Sequence, residues 1–531
     1  MSTPAAPVVG TRRRIALFTV FATSLIAMLD LTISAVALPV IRTDLSASLT
    51  SLQWMFDAYT LAFAGLVLTG GAVSDRLGHR TGLLASTTLF IVGSAVCGLA
   101  DNAGVLIAGR ALQGVGAAML VPAAMALISL LAGGDAARAK LLGIWSALSG
   151  AAIAFGPVAG GWLVATFDWR ILFQINVPLG IAAIVLVVFT VDSIAPGEGR
   201  KLDFPGLLLG SLTALALAYG IIEGVVIGFT SPVILASFAV AALALVAFIV
   251  VERRSENAMM PLSLFSIKPF TASTIVAFVL GFGLSSSFFF LSQLLQQAFG
   301  YSPFEAGLGF LPAALMLVLA APIAGKLMAK FGAAQIVAAG LAIGGVGLAA
   351  LWFTDADTGY GGIWWAVALI GIGWGMTLPP VNTVALGAVP PERAGTASGT
   401  VETGLQFGTV VGIAAIGAAQ VSTFLDELRE RLAAQPLGDQ LGRVTEQLSE
   451  GRVPGDAPVA ADVLTGIAQA ASASGLNVAF LVAGVVTIAA IAPTLWGMPR
   501  KAFGDPAAAP AADGPTAGAA AETDASAPRQ T

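Results

Sequence analysis

"GGAVSDRLGHRTG", residues 70–82, crowds Asp75, Arg76, Arg80 and the chain's one histidine, His79, into a sequence otherwise almost free of charge. Of the 531 residues, 57% are hydrophobic and 10% charged, against about 25% charged in an ordinary soluble domain. On both sides of the knot run apolar stretches of about 20 residues, each long enough to cross roughly 30 Å of hydrocarbon as a helix. Only helices or closed barrels satisfy their own backbone in lipid, and the runs lack the two-residue alternation of a barrel strand. The chain therefore reads as a polytopic all-α membrane protein, and the knot as a loop at the membrane surface between two spans.

Counting outward from that loop, apolar runs fall near 15–41, 51–73, 82–100, 104–131, 141–164, 171–191, 205–225, 233–251, 270–291, 304–325, 333–353, 361–388, 400–421 and 475–498, fourteen spans in all. With the N-terminus inside, the short inner loops collect seventeen Lys and Arg and the outer ones only Arg42 and Arg170. That asymmetry follows the positive-inside rule and puts both termini in the cytoplasm, the protein lying in the cytoplasmic membrane. Residues 422–474 form a polar external stretch with room for a short amphipathic helix, and 502–531, rich in Ala, Pro, Gly and Thr, form a cytoplasmic tail expected to be disordered. One cysteine, Cys97, and one histidine cannot build a haem, zinc, iron–sulfur or disulfide framework. No cofactor, no metal and no nucleic acid are expected, and without a phosphate-binding loop of the Walker type ATP is not the driver.

The knot has an echo. "GAVSDRLGHRT" (71–81) and "GKLMAKFGAAQ" (325–335) share a glycine, a basic residue and a second glycine seven positions on. Spans 1–6 and 9–14 then form two six-helix bundles, with spans 7 and 8 inserted, giving an N-terminal bundle over 1–191, a linker with two inserted helices over 192–260 and a C-terminal bundle over 261–501.

The knot, together with "LDLTISAVALP" (29–39), "GRALQGVGAA" (109–118), "GPVAGG" (156–161) and "WRILFQINVPLG" (169–180), resembles the fourteen-helix drug:proton antiporters of the major facilitator superfamily. The resemblance is dense over the first six spans and sparse afterwards. It implies that Asp75 pairs with an arginine and a helix N-terminus, so that Asp75, Arg76, Gly78 and Arg80 form a conformational latch. A carboxylate at a positive helix end contributes roughly 0.3–1 kcal/mol, or about 2 when partly buried. The alternative is a topological anchor only. His79 stands where the family usually has Arg or Lys. The resemblance also marks Gly156, Pro157, Gly160 and Gly161 as the antiporter motif, which favours export over uptake, and implies a monomer.

Ionisable residues inside a membrane cost about 2.5–3.5 kcal/mol on insertion scales and usually face a water-filled path. Asp30 lies in the middle of span 1, beyond the reach of either surface, where a carboxylate can take and release a proton as its surroundings change. Arg110, the motif arginine of span 4, must pair, and Asp30 is the natural partner, with Gln113 able to hydrogen-bond beside it. Glu402, in "SGTVETGLQFG", stands where the family often has asparagine and offers a second titratable group. Asp30, Arg110 and Glu402 are thus the proton-coupling candidates. Asp57, Gln113, Gln293 and Phe289, the last two from "FGLSSSFFFLSQLLQQ" (282–297), are the substrate-binding candidates. Asp57 can equally be an interfacial acid satisfied by water or Tyr59, Glu223 reads as interfacial, and Glu305 as a helix-cap acid behind Ser302 and Pro303.

The expectation is a secondary transporter, not an enzyme, that exports amphiphilic, cationic drugs or antibiotics in exchange for protons by alternating access within a lipid bilayer. The alternatives are export of a specific metabolite or lipid, proton-coupled uptake, or a membrane scaffold without transport.

Overall fold

The computed structural model describes residues 11–132, 135–191, 203–255, 262–355, 358–389, 394–455 and 457–500. The N-terminal part consists of α1 (Thr11–Asp44), α2 (Leu49–Leu77), α3 (His79–Gly98), α4 (Ala103–Leu131), α5 (Asp135–Thr166) and a broken sixth span, α6 (Ile171–Gln174) and α7 (Asn176–Thr190). The inserted pair is α8 (Phe204–Ile227) and α9 (Pro232–Arg254). The C-terminal part comprises α10 (Lys268–Leu280), α11 (Ser286–Gln293), α12 (Pro303–Gly309), α13 (Leu311–Phe331), α14 (Ala333–Ala350), α15 (Gly359–Gly387), α16 (Ala394–Ala433), α17 (Leu441–Ser449), α18 (Ala461–Ala489) and α19 (Ile491–Gly497).

Helix backbone thus occupies every apolar run of the sequence. Twelve segments are long and apolar enough on their described residues to cross a membrane. At the other two places stand α2 and α5, with 29 and 32 helical residues. The end of the molecule that carries Asp44 and α17 is called outer below, after the loop charges.

Hydropathy marks where lipid ends, not where helix ends. The sequence places a loop over 422–474, but α16 runs on to Ala433 and α18 begins at Ala461. The polar extension of α16 is built from good helix formers and carries an Arg431–Glu427 ion pair at 2.6 Å, one turn apart. Residues 441–449 form α17, with Val444 and Leu448 buried beneath it.

At the two echoing glycines the chain passes from one helix to the next in a single residue. Gly78 has φ 82° and ψ 135°, and Gly332 has φ 87° and ψ 159°. Residues with a Cβ avoid that region, which is why glycine stands at both joints.

One bundle packs α1 to α7 and the other α10 to α19. The two meet where α2 lies along α16, where α5 lies along α12 and α13, and where α1 touches α11 and α12. Helix α8 bridges α2 and α16 on the outside of that seam, and α9 packs on α8 with large side chains such as Leu243 and Val246 pointing outward. Two π-helical turns, Gly281–Ser285 and Leu294–Ala298, flank α11. Such turns locally loosen a helix and concentrate at functional positions. Ser302 and Glu305 form a reciprocal capping box that starts α12.

Candidate functional site

A buried polar cluster lies inside the N-terminal bundle and centres on Asp30. Its Oδ2 is ion-paired with Arg110 Nη1. Its Oδ1 accepts from Gln113 Nε2 at 3.1 Å and from Asn176 Nδ2 at 2.8 Å. Arg110 also donates through Nη1 to Gln113 Oε1 at 2.9 Å and through Nε to the Met55 carbonyl at 3.2 Å. Its guanidinium lies 4.3 Å from the Tyr59 ring centroid, which offers a π face on that side. Tyr59 in turn donates to the Ala27 carbonyl, and Ser94 Oγ accepts from Gln113 and Asn176 at 2.7 and 3.3 Å. Asp30 is 2% exposed, Arg110 1% and Gln113 0%.

Small residues let five helices converge there. In "GRALQGVGAA" a Cβ on Gly109 would stand 2.6 Å from Cys97 Sγ, and one on Gly116 would stand 2.7 Å from the Phe90 nitrogen. These glycines seat α4 directly on α3, a close approach that packing in lipid favours. The cluster holds one negative and one positive charge away from water only while α1, α2, α3, α4 and α7 keep their places. Breaking such a pair leaves an uncompensated buried charge, so displacement of any of these helices changes the free energy of ionised Asp30.

The glycine–proline motif stands at the joint between bundles. A Cβ on Gly160 would lie 2.6 Å from the Ile33 carbonyl of α1, and Gly156 packs on Thr32. Gly161 faces the backbone of Pro303, while Gly307 of α12 faces Pro157. Pro157 leaves α5 continuous from Asp135 to Thr166. The motif therefore presses α5 simultaneously on its own bundle and on the opposite one.

The remaining candidates are distributed. Asp57 is 0% exposed and both of its carboxylate oxygens lack a hydrogen-bond partner. It lies one turn from Trp54 and Leu61, which pack with α8 and α16, and makes no hydrogen bond to Asp30's cluster. Phe289 stacks edge-on against Phe56 of α2 at 6.0 Å, across the seam. Gln293 accepts from Gln420 Nε2 at 3.2 Å and so stays within the C-terminal bundle. Glu402 accepts from Gln406, one turn further along α16, at 2.8 Å. Glu223 accepts from the Trp54 indole at 3.1 Å, joining α8 to α2. In the knot, the side chains of Asp75 and Arg76 lie outside the described residues; Gly78 forms the joint already noted, and Arg80 donates to the Val188 carbonyl at the inner end of α7 at 2.8 Å.

Two further groups belong to the site although the sequence does not single them out. Asn176 carries one faint signal: it is the one amide in the apolar run that begins at its position and ends at Phe189. Arg42 counts in the sequence only toward orientation, yet it is 6% exposed. Its Nη1 donates to Gln297 Oε1 at 3.1 Å and its Nη2 to the Ser449 carbonyl at the end of α17. Beside it Gln296 donates to the Val36 carbonyl at 2.7 Å. These contacts tie the outer end of α1 to the opposite bundle and to the external segment. At the inner side, by contrast, α4 and α15 make no extended packing among the described residues.

Comparison with known proteins agrees with this architecture. The chain is similar to a bacterial homologue of the human lysosomal transporter Spinster in an inward-facing, occupied conformation, with a TM-score of 0.62 over 92% of this chain and 97% of that one, at 19% identity. It is 33% identical over 491 residues to the tetracenomycin C resistance and export protein of Streptomyces glaucescens, covering 90% of each chain. It is 31% identical over 492 residues to the multidrug efflux pump LfrA of Mycolicibacterium smegmatis, covering 92% of this chain and 97% of that protein. Residues 20–413 match the Major Facilitator Superfamily. The chain belongs to the Major Facilitator Superfamily, whose members are multi-pass secondary transporters of small molecules and not enzymes.

Proposed function

We propose that this protein is a proton-coupled exporter that carries amphiphilic, cationic drugs or antibiotics out across the cytoplasmic membrane, working as a monomer with both termini inside. The observation that carries the reading is the fully enclosed Asp30–Arg110 pair. A carboxylate held by an arginine and two amides at mid-membrane is a group whose ionisation depends on helix positions, which is what exchange of a proton for a substrate requires. The relatives described as an export protein and an efflux pump support the outward direction.

In this reading Asp30 carries the proton and Arg110 stabilises its charged form. Glu402 adds a second acid in the other bundle. Asp57 and Phe289, which lie at the seam, and Gln293 supply substrate contacts, while Gln113, with both ends of its amide engaged, serves Asp30. The Gly156–Gly161 motif is the surface on which the bundles rock. The latch role of Asp75, Arg76, Gly78 and Arg80 belongs to the opposite, inner-closed state. Sealing of the outer ends around Arg42 supports a resting arrangement open toward the inside.

The test is transport of ethidium by purified protein in liposomes under an imposed pH gradient, for the wild type and Asp30→Asn. Gradient-driven movement lost in the variant is the expected result. Equal movement in both removes Asp30 from coupling. A relative named for a single compound, tetracenomycin C, favours a narrower second reading, export of one metabolite. Absence of ethidium movement in the wild type, with proton release on addition of tetracenomycin C, selects it.

A further inference from the structure

The stretch "WRILFQINVPLG" (169–180) places every polar side chain on a definite partner. Trp169 Nε1 and Arg170 Nη1 both donate to Asp44 Oδ2 at 3.0 Å, at the outer end of α1. Gln174 Nε2 donates to the Gly98 carbonyl at 3.1 Å, at the end of α3. One residue beyond the break at Ile175, Asn176 opens α7 and reaches Asp30 and Ser94. The stretch thus sets the depth and rotation of α7 against α1 and α3 and delivers a single amide, itself 6% exposed, to the buried carboxylate.

We propose that Asn176 is a positioning residue for the proton site: its amide holds the Asp30 carboxylate from α7, and movement of α7 against α1 withdraws that support. This rests on the proton-coupled reading above. Arg110 and Gln113 both sit on α4 and move as one unit, so Asn176 is the donor through which a different helix acts on the same carboxylate. A hydrogen bond donated to a carboxylate favours its charged form. Losing it therefore makes protonation easier.

The other titratable or charged groups around Asp30 leave this role open to Asn176. Helix α4 presents Arg110. Helix α2 presents Tyr59, beneath Arg110, and Asp57, which is turned to the seam. Cys97 of α3 touches Gln113 Oε1 at 3.5 Å and not Asp30. At this depth α5, α6, α7 and α11 carry no titratable side chain, and Glu305 of α12 is at the outer end.

The experiment is an infrared titration of the protonated-carboxyl band in proteoliposomes of the full chain, with Asp30's share isolated by subtracting Asp30→Asn. It needs no ligand. In Asn176→Leu, similar in size but without a donor, the Asp30 band should appear at a pH about one unit higher than in the wild type, the size of one lost hydrogen bond to a charged group. Asn176→Gln, which keeps the donor, should stay near the wild type. The pH profile of transport should move in the same direction. An Asn176→Leu midpoint equal to that of the wild type overturns the inference while leaving proton coupling standing. A wild-type Asp30 that does not titrate at all overturns the coupling reading and the inference with it. If Asn176→Leu does not fold, Asn176→Ala in nanodiscs is titrated in its place: a raised midpoint supports the inference and an unchanged one overturns it.

Discussion

The two bundles solve the problem of polar groups in lipid in opposite ways. In the N-terminal bundle, Asp30, Arg110, Gln113, Asn176 and Ser94 are joined across helices, so that each polar side chain constrains at least one other element. Hydroxyls of both bundles turn back onto their own helices, Thr23 onto Thr19 and Thr87 onto Leu83 in the first, Thr377 onto Gly373 and Thr487 onto Ala483 in the second, so the difference lies in the charged and amide groups. In the C-terminal bundle Glu402 is satisfied within its helix, and the one inter-helix amide pair named there, Gln293–Gln420, is neutral. A charged network across helices fixes geometry, since each member's loss strands another. The π turns on either side of α11 leave that helix able to bend at little cost. One bundle is thus built for a definite chemical state and the other for accommodation.

The largest effect should come from cutting the network. Arg110→Ala leaves Asp30 buried without its charge partner, a loss of about 3–5 kcal/mol. The variant should melt far below the wild type in detergent. The double variant Asp30→Asn/Arg110→Gln, which removes both charges, should recover much of that melting temperature but none of the gradient-driven transport. An Arg110→Ala protein as stable as Glu402→Gln would erase the contrast between the bundles.

Next in size is the seam. A side chain at Gly160 meets the Ile33 carbonyl at 2.6 Å, and neither backbone can yield without moving a helix. Gly160→Val should cost about 1–3 kcal/mol, as overpacking does, and should abolish transport even where protein is recovered. A Gly160→Val exporter with normal turnover would mean that α5 and α1 need not hold this spacing.

At the outer rim, Arg42→Gln removes the donor that reaches Ser449 and leaves the Gln296–Val36 contact intact. Hydrogen exchange over 441–452 should accelerate, while exchange at α4 stays unchanged. Equal protection in the variant would show that α17 is held by Val444 and Leu448 alone.

How far the sequence reveals this depends on whether a feature is local. Apolar runs announce their helices because lipid acts on each run separately, whereas the glycine echo shows only that 78 and 332 correspond, and that each is a one-residue joint at positive φ appears in the structure alone. Asp30 and Arg110 are pairable on electrostatic grounds, since two lone charges in hydrocarbon must find each other. Nothing along the chain states that Asn176, 146 residues from Asp30, completes the set. That contact depends on how α6 and α7 are hung from Asp44 and Gly98. The same reasoning explains the overrun of α16: hydropathy falls at residue 421, but Arg431 and Glu427 sustain the helix in water.

The smallest effect tests the accommodating bundle directly. Gln293 has one amide oxygen shared between Gln420 and Gln297, the latter at 3.4 Å, and a nitrogen without a partner. Replacing it by Leu removes one good neutral hydrogen bond and the cost of the unpaired nitrogen together, terms of similar size and opposite sign. Gln293→Leu should therefore melt within about 1 kcal/mol of the wild type. Its transport should change unevenly, because an amide inside an apolar helix matters only to substrates that hydrogen-bond to it. Resistance measured across a panel of apolar cations and hydrogen-bonding antibiotics should separate the two groups. A uniform loss across the panel would assign Gln293 to the transport cycle itself, and the C-terminal bundle would then carry a fixed chemical role like its partner.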